Sequence, residues 1–309
     1  MMRIALTGST GLIGSSLLTA LSEGGHDVVR LVRSPTTANQ HDDDSIEWTP
    51  TGEMQEGELK RLEGTDAIVH LAGENLGGGR WTDARMKRIY DSRVVGTRNL
   101  VNSIMRMETK PKAFICASAI GYYGPHGDET IRENDARGTG FLAELCEEWE
   151  RETKRLEECD VRVVNARFGI VLSPRGGALR KMLLPFRMGG GGIIGTGRQW
   201  YSWISLDDCV GALHLLIEDE NASGAFNLVA PHPETNREFT KTLGRVLKRP
   251  TIIPMPSFAA RLAFSRRMAD ETILSGARVE AKRLTELGYE FQHPELEEAL
   301  RQLLGRSKS

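Results

Sequence analysis

Three glycines spaced three apart follow the first apolar run of the chain, in Thr7-Gly8-Ser9-Thr10-Gly11-Leu12-Ile13-Gly14. Without side chains the backbone lets a phosphate come close. The helix that should start here adds free N–H groups and positive potential. The chemistry on offer is the binding of a dinucleotide pyrophosphate, with Gly8, Thr10, Gly11, Leu12, Ile13 and Gly14 as contacts. The spacing is GxxGxxG rather than GxGxxG, a pattern that by itself is compatible with an incidental turn. Its place between a strand and an amphipathic helix is what favours binding. The second apolar run, from His26 on, ends in Val32-Arg33. NAD-preferring sites end this strand with a carboxylate that accepts from the ribose 2′-OH. An arginine suits a 2′-phosphate instead, about 20 residues beyond the glycine turn. The plainer alternative is a surface arginine at a strand end. The expected cofactor is therefore NADP(H).

These residues need a frame. Arg3–Leu6, Val28–Val32, Ala67–Leu71, Ala113–Ala117 and Val161–Ala166 are short apolar runs, as expected of strands buried on both faces. Leu12–Leu21, Asp83–Met105 and Leu142–Leu156 have helical spacing. Alternation of the two predicts right-handed βαβ crossovers and an α/β fold, a Rossmann-like doubly wound parallel sheet. After about residue 175 the glycines 189–192, Gly195 and Gly197, then Pro250, Pro254 and Pro256, break the rhythm. Residues 1–248 are expected to form the nucleotide-binding domain with substrate-loop insertions. Residues 249–305 are expected to form a small, mostly helical C-terminal lobe. Arg198, Gln199 and Trp200 follow a glycine-rich loop and are candidates for a pocket that takes a polar or phosphorylated small molecule. The alternative is a folded loop whose tryptophans anchor the lobe.

Composition limits the rest. The 309 residues carry 40 basic and 42 acidic side chains, for a formal net charge of -2, with 39% hydrophobic residues. This is not the footprint of a nucleic-acid or membrane-surface protein. Arg261, Arg266 and Arg267 read as a solvated helix face. No uncharged stretch is long enough to cross a bilayer. Cys116, Cys146, Cys159 and Cys209 form no CxxC pair and read as reduced, mostly core-facing thiols of a cytoplasmic protein. Asp207-Asp208 reads as the acidic start of a helix, and His70 as structural.

The glycine turn and His70-Leu71-Ala72-Gly73 resemble the extended branch of the short-chain dehydrogenase/reductases. Leu71-Ala72-Gly73-Glu74-Asn75, Gly79-Arg80-Trp81, Asp91-Ser92-Arg93, Ser118-Ala119-Ile120-Gly121-Tyr122-Tyr123-Gly124, Met182-Leu183-Leu184-Pro185-Phe186 and Gly195 to Trp200 resemble one atypical subgroup. This is the sugar-nucleotide epimerase-like, or NAD-dependent epimerase/dehydratase, subgroup with its own C-terminal domain. The resemblance implies that Leu71, Ala72 and Gly73 pass close to adenosine and pyrophosphate. It implies that Arg93 stands where relatives carry a cofactor-contacting asparagine, and that Val171 lies by the nicotinamide. A helix-surface arginine and a core valine are the competing readings. The family's usual proton chemistry runs through Ser/Thr and a YxxxK pair, whose lysine lowers the tyrosine pKa. Here Ala119 falls at the Ser/Thr position. Phe141 and Leu145, aligned by the end of their helix, fall at YxxxK, and neither can exchange a proton. Ser118 and Tyr122 are the remaining catalytic candidates, and no metal is expected. The expected function is an NADP(H)-dependent oxidoreductase or epimerase-like enzyme. The rival is an NADPH-binding sensor or scaffold that has lost catalysis, favoured by the missing pair.

Overall fold

The computed structural model describes residues 1–33 and 45–306. Strands β1 (Arg3–Thr7), β2 (Asp27–Val32), β3 (Ser45–Glu47), β4 (Ala67–His70), β5 (Ala113–Ala119), β6 (Arg162–Phe168) and β7 (Gly224–Leu228) form one sheet. Their order is β7-β6-β5-β4-β1-β2-β3, and every neighbouring pair is parallel. The chain runs outward from β1 in one direction and then returns to start again at β4. The crevice between the carboxyl ends of β1 and β4 is therefore the switch point, where such sheets bind ligands.

Alternation along the strands fills two cores. Ile4, Leu6, Val69, Ile115 and Val164 point to one face and meet Leu17 and Leu21 of helix α1 (Leu12–Glu23). A second helix on that face, Leu206–Glu218, adds Cys209, Leu213 and Leu216. Ala5, Val29, Ile68, Phe114 and Val163 point the other way. They pack on Leu100, Val101 and Ile104 of the helix Gly96–Met105 and on Leu145 and Trp149 of the helix Phe141–Lys154. Each large side chain so buried contributes about 1.5–3 kcal/mol relative to exposure.

The pattern over Asp83–Met105 predicts one helix. The structure has Asp83–Tyr90 and Gly96–Met105 joined by a π turn, Asp91–Val95. Such a bulge inserts a residue and re-aims its side chains, commonly at a functional site. Here it carries Arg93.

The C-terminal segment is helical, with Ser257–Phe264 and Leu296–Leu303 among its elements. Buried side chains of this segment join the cores of the rest of the chain. Arg278–Val279 pairs with Thr130–Ile131, and Ala277, Val279 and Leu284 enter the core beneath the sheet. Leu296, Ala299 and Leu300 share a third cluster with Phe239 and Leu243 of the helix Asn236–Leu247. Asp208 reaches beyond dipole complementation. Its carboxylate is buried and accepts from the Gln292 and His293 N–H groups at 2.7 and 3.0 Å. Glu271 makes the corresponding tie at the helix Phe141–Lys154. Gly140 precedes that helix at φ 106°, and the Glu271 carboxylate accepts from the Phe141 and Leu142 N–H groups at 2.9 and 3.1 Å. An anion at a helix start satisfies donors that no intrahelical partner can reach. Arg261 and Arg266 pair with Asp270, and Arg267 with Asp83, as a solvated charged face should.

Replacing Glu271 with alanine is expected to lower the unfolding free energy by about 1–2 kcal/mol, the usual worth of a cap. Urea denaturation measures it, and a variant as stable as the parent would show that this tie contributes nothing.

Candidate functional site

Thr7 closes β1 and begins the site. Its hydroxyl oxygen accepts from the Leu71 and Ala72 N–H groups, both at 3.1 Å, which locks the exit of β4 to the exit of β1. Its own proton is then free for His70 Nδ1 at 2.8 Å, so the imidazole carries its proton on Nε2, facing Thr97 Oγ1 at 3.1 Å. Trp149 Nε1 donates to the same Thr97 oxygen at 2.8 Å. Burial pushes the His70 pKa down to about 3, so this ring stays neutral and structural.

Gly8 turns the chain at φ 70°, and a Cβ there would stand 2.8 Å from the Leu71 carbonyl. A Cβ on Gly14 would stand 2.2 Å from the Gly8 oxygen. Gly11 differs. Its hypothetical Cβ has only the Gly8 oxygen nearby, at 3.2 Å, and otherwise faces open space at the start of α1. This is a cradle that a side chain would fill and a pyrophosphate fits.

The cradle opens into a cleft of about 400 Å³. Gly8, Gly11, Leu12, Ile13, Gly14, Leu71, Ala72, Gly73, Arg93, Ser118, Leu145 and Val171 all line it, so twelve residues expected from the sequence converge on one cavity. Among the lining residues Arg93 is the one carrying a charge. Its guanidinium lies 5.3 Å from the Trp149 ring centre, and Nη1 donates to the Glu74 carbonyl at 3.0 Å. Burial draws its pKa down to about 10, still charged at neutrality. Gly73 passes so close that a Cβ would meet the guanidinium carbon at 3.2 Å.

Other expected residues lie elsewhere. Thr10 is exposed on the turn; Val32 and the exposed Arg33 lie at the end of β2, outside the cleft lining. Arg198, Gln199 and Trp200 do not line the cleft. The Gln199 amide donates to the Ile194 and Ile273 carbonyls, and Trp200 Nε1 donates to Asp128, so these two side chains tie the segment to neighbouring loops. Phe141 is packed edge-on against Trp81, 5.7 Å between ring centres, and is not a lining residue. The residues of this helix that line the cleft are Leu142, Leu145, Cys146 and Trp149, two pairs four residues apart. Neither pair supplies the tyrosine or the lysine. Burial and the nearby Glu150 charge push the Cys146 thiol up to about 12, so it is a neutral wall.

The two catalytic candidates meet the same buried group. Ser118 lines the cleft, but its hydroxyl donates to Glu150 Oε1 at 2.6 Å. Glu150 in turn accepts from Arg167 Nε and Nη2, each at 2.8 Å, in a fork-to-fork pair. Tyr122 lies outside the cleft lining, its ring centre 3.6 Å from the Arg167 guanidinium carbon. Tyr123 Oη accepts from Arg167 Nη1 and donates to Asn227 Oδ1. Burial works against the Arg167 charge, but bonding to Glu150 and its negative charge outweigh this and raise its pKa. Sequence reasoning passed over this pair. An arginine on a fully buried strand must have a partner, and that was the available signal. Leu142, Cys146 and Trp149 were signalled by their i, i+4, i+7 stripe.

The NAD dependent epimerase/dehydratase family model matches residues 4–229, and that of a domain of unknown function, DUF1731, matches residues 255–303. The chain belongs to the NAD dependent epimerase/dehydratase family. Epimerase family protein MT2273 of Mycobacterium tuberculosis is 43% identical over 297 residues, 96% of each chain. Epimerase family protein YfhF of Bacillus subtilis is 36% identical over the full length of both. The crystal structure of human epimerase family protein SDR39U1 with NADPH superposes with a TM-score of 0.88 at 33% identity, covering 99% of this chain and 100% of that one. The glycine turn of this family member lies on a Rossmann-like sheet, in the segment that the NAD dependent epimerase/dehydratase model covers.

Two substitutions separate the roles of the glycines. Gly11→Val is expected to leave the fold intact and abolish cofactor binding, because its side chain enters the phosphate space. Gly14→Ala is expected to cost on the order of 1–3 kcal/mol of stability by forcing the turn off the helix. Calorimetric titration and urea melts on both variants test this; retained binding in folded Gly11→Val would place the nucleotide elsewhere. Glu150→Ala strands the Arg167 charge, and about 3–5 kcal/mol of stability should be lost. A loss below about 1 kcal/mol in the same melts would show that water reaches the pair.

Proposed function

We propose that this protein is an NADP(H)-dependent oxidoreductase of the epimerase family that works without a tyrosine–lysine proton relay. One observation carries the reading. The helix Phe141–Lys154 turns Leu142, Leu145, Cys146 and Trp149 to a cleft that otherwise has a complete nucleotide cradle. When bound, the cofactor supplies hydride chemistry. The chain's own residues do the rest. Gly8, Gly11 and the start of α1 receive the pyrophosphate, Arg93 offers a buried positive charge beside Gly73, and Val171 borders the far end. Arg33, exposed after β2, whose last three residues are Arg30, Leu31 and Val32, would meet the 2′-phosphate. The NADPH in the human relative's structure supports this choice of cofactor.

The substrate is proposed to be a small molecule. Leu76, Leu142, Leu145 and Phe168 make the wall apolar, which favours a carbonyl compound with an apolar body over a sugar nucleotide. A specific observation favours a second reading, an NADPH-responsive sensor or scaffold in the cytoplasm. The Ser118 hydroxyl is already committed to Glu150, so no lining side chain among the described residues offers an unengaged hydroxyl.

NADPH is expected to bind more tightly than NADH, and Arg33→Ala to remove about 1.5–3 kcal/mol of that preference. Calorimetry with both cofactors on both proteins measures it, and equal affinities in the parent protein would sink the assignment. In an NADPH-oxidation screen, turnover on common sugar nucleotides should be weak or absent. Robust turnover lost in Tyr122→Phe would mean that tyrosine reaches the cleft and the proton chemistry was relocated rather than discarded. Tight NADPH binding with no turnover on any carbonyl compound would put the sensor reading ahead.

A further inference from the structure

Away from the cleft, three ligand atoms of the right kinds converge. His214 and Glu218 are four residues apart on the helix Leu206–Glu218, so their side chains share a face. His26 meets them from the corner between α1 and β2, where Gly25 takes φ 79°. His26 Nε2 lies 3.3 Å from His214 Nε2 and 3.4 Å from Glu218 Oε1. The third side of the triangle, His214 Nε2 to Glu218 Oε1, is 3.5 Å. The corner precedes β2, which places it at the amino ends of the strands, across the sheet from the glycine cradle.

We propose that His26, His214 and Glu218 form a binding site for a divalent transition ion of the Zn²⁺ class. Ligands on a tetrahedral ion with bonds of about 2.0–2.1 Å stand about 3.4 Å from one another. The three observed separations match that edge. An ion at that bond length from all three atoms sits just above their plane, with its fourth position open. Two imidazole nitrogens and one carboxylate oxygen suit Zn²⁺, whereas Mg²⁺ and Ca²⁺ call for an all-oxygen shell.

Two further observations favour an ion over a plain contact between rings. The His26 side chain is only 5% exposed, and its Nδ1 is buried with no hydrogen-bond partner. All of its polar contacts therefore run through Nε2, toward the point where the other two ligands meet. The rings are steeply inclined, 76° between planes, which lets both nitrogens aim at one point without stacking. Without an ion, one Nε2 must carry a proton to make the 3.3 Å contact. On binding, that proton moves to Nδ1 of the same ring, so that both imidazoles are neutral ligands through Nε2. Glu218 is half exposed and His214 is 30% exposed, which gives the ion an entry path. An ion there would pin the α1–β2 corner to the helix Leu206–Glu218, two elements of the same core. This role is independent of the cofactor reading.

The test uses the full chain, freed of metal by chelation, with ZnCl₂ titrated calorimetrically and CoCl₂ followed by visible absorption. One equivalent of Zn²⁺ should bind, Co²⁺ should show the intense bands of tetrahedral coordination, and Zn²⁺ should raise the thermal midpoint. His214→Ala and Glu218→Gln are partly exposed changes that spare the buried ring of His26. Each should weaken Zn²⁺ binding about tenfold or more and abolish the thermal shift, with NADPH affinity unchanged. Absence of one-equivalent binding in the parent protein overturns the proposal. So does Zn²⁺ binding of parental strength in either variant, which would place the ion on other residues such as the cysteines.

Discussion

The bidentate pair of Glu150 and Arg167 is the constraint around which the back of the cleft is arranged. Both side chains are buried, so each is tolerable only with the other in register. Glu150 comes from the helix Phe141–Lys154 and Arg167 from β6, so the pair sets how that helix lies along the sheet. The leftover hydrogen-bonding capacity is then filled from neighbours. Ser118 at the end of β5 donates to Glu150, Tyr123 accepts from Arg167, and the Glu133 carbonyl takes the same guanidinium nitrogen. Tyr122 covers the guanidinium face. The two catalytic candidates, Ser118 and Tyr122, are thereby enlisted in satisfying a buried charge. A side chain that must hold an ion pair in place is poorly free to carry a proton to a substrate.

The front of the cleft rests on a different kind of economy, that of atoms. Thr7 spends both lone pairs on Leu71 and Ala72 and its proton on His70, and the chain continues through Thr97 to Trp149. Thr7, His70, Thr97 and Trp149 are all buried, so leaving one unpaired would be costly. Four elements around the switch point are thus held by one continuous polar line, while Gly8 lets β1 and β4 exit almost in contact. A rigid, bare-backboned crevice with one cation among its lining residues is what a dianionic pyrophosphate needs, since little has to reorganise when it binds.

The π turn at Asp91–Val95 connects these two halves. It lets Arg93 leave the helix surface that regular spacing would have given it and lie between Gly73 and Trp149. The positive charge in the cleft is therefore a product of local backbone irregularity, supported by Leu100 and Ile104 packing on the next helix.

Much of this was legible in the residues themselves. The continuous apolar runs from Arg3, Val28, Ala67, Ala113 and Val161 determined five strands, because a strand buried on both faces has no room for polar alternation. The glycine turn determined the cradle, because steric bareness is a property of residue type. The outer strands β3 and β7 were not legible: Ser45–Glu47 is three residues long, and Gly224–Leu228 opens with Gly-Ala, so neither carries a run long enough to stand out. Nor could spacing decide which residues of the helix Phe141–Lys154 look into the cleft. One position rotates a side chain by about 100°, and the rotation was set by Glu150 meeting Arg167 and by Glu271 arriving from 130 residues away. The same holds for Arg198, Gln199 and Trp200, whose residue types fit a pocket but whose partners, Asp128 and the Ile194 and Ile273 carbonyls, come from distant loops. Residue type and local period determine what a segment can do. Contacts between segments far apart in the chain decide which way it faces, and that is information only the folded chain contains.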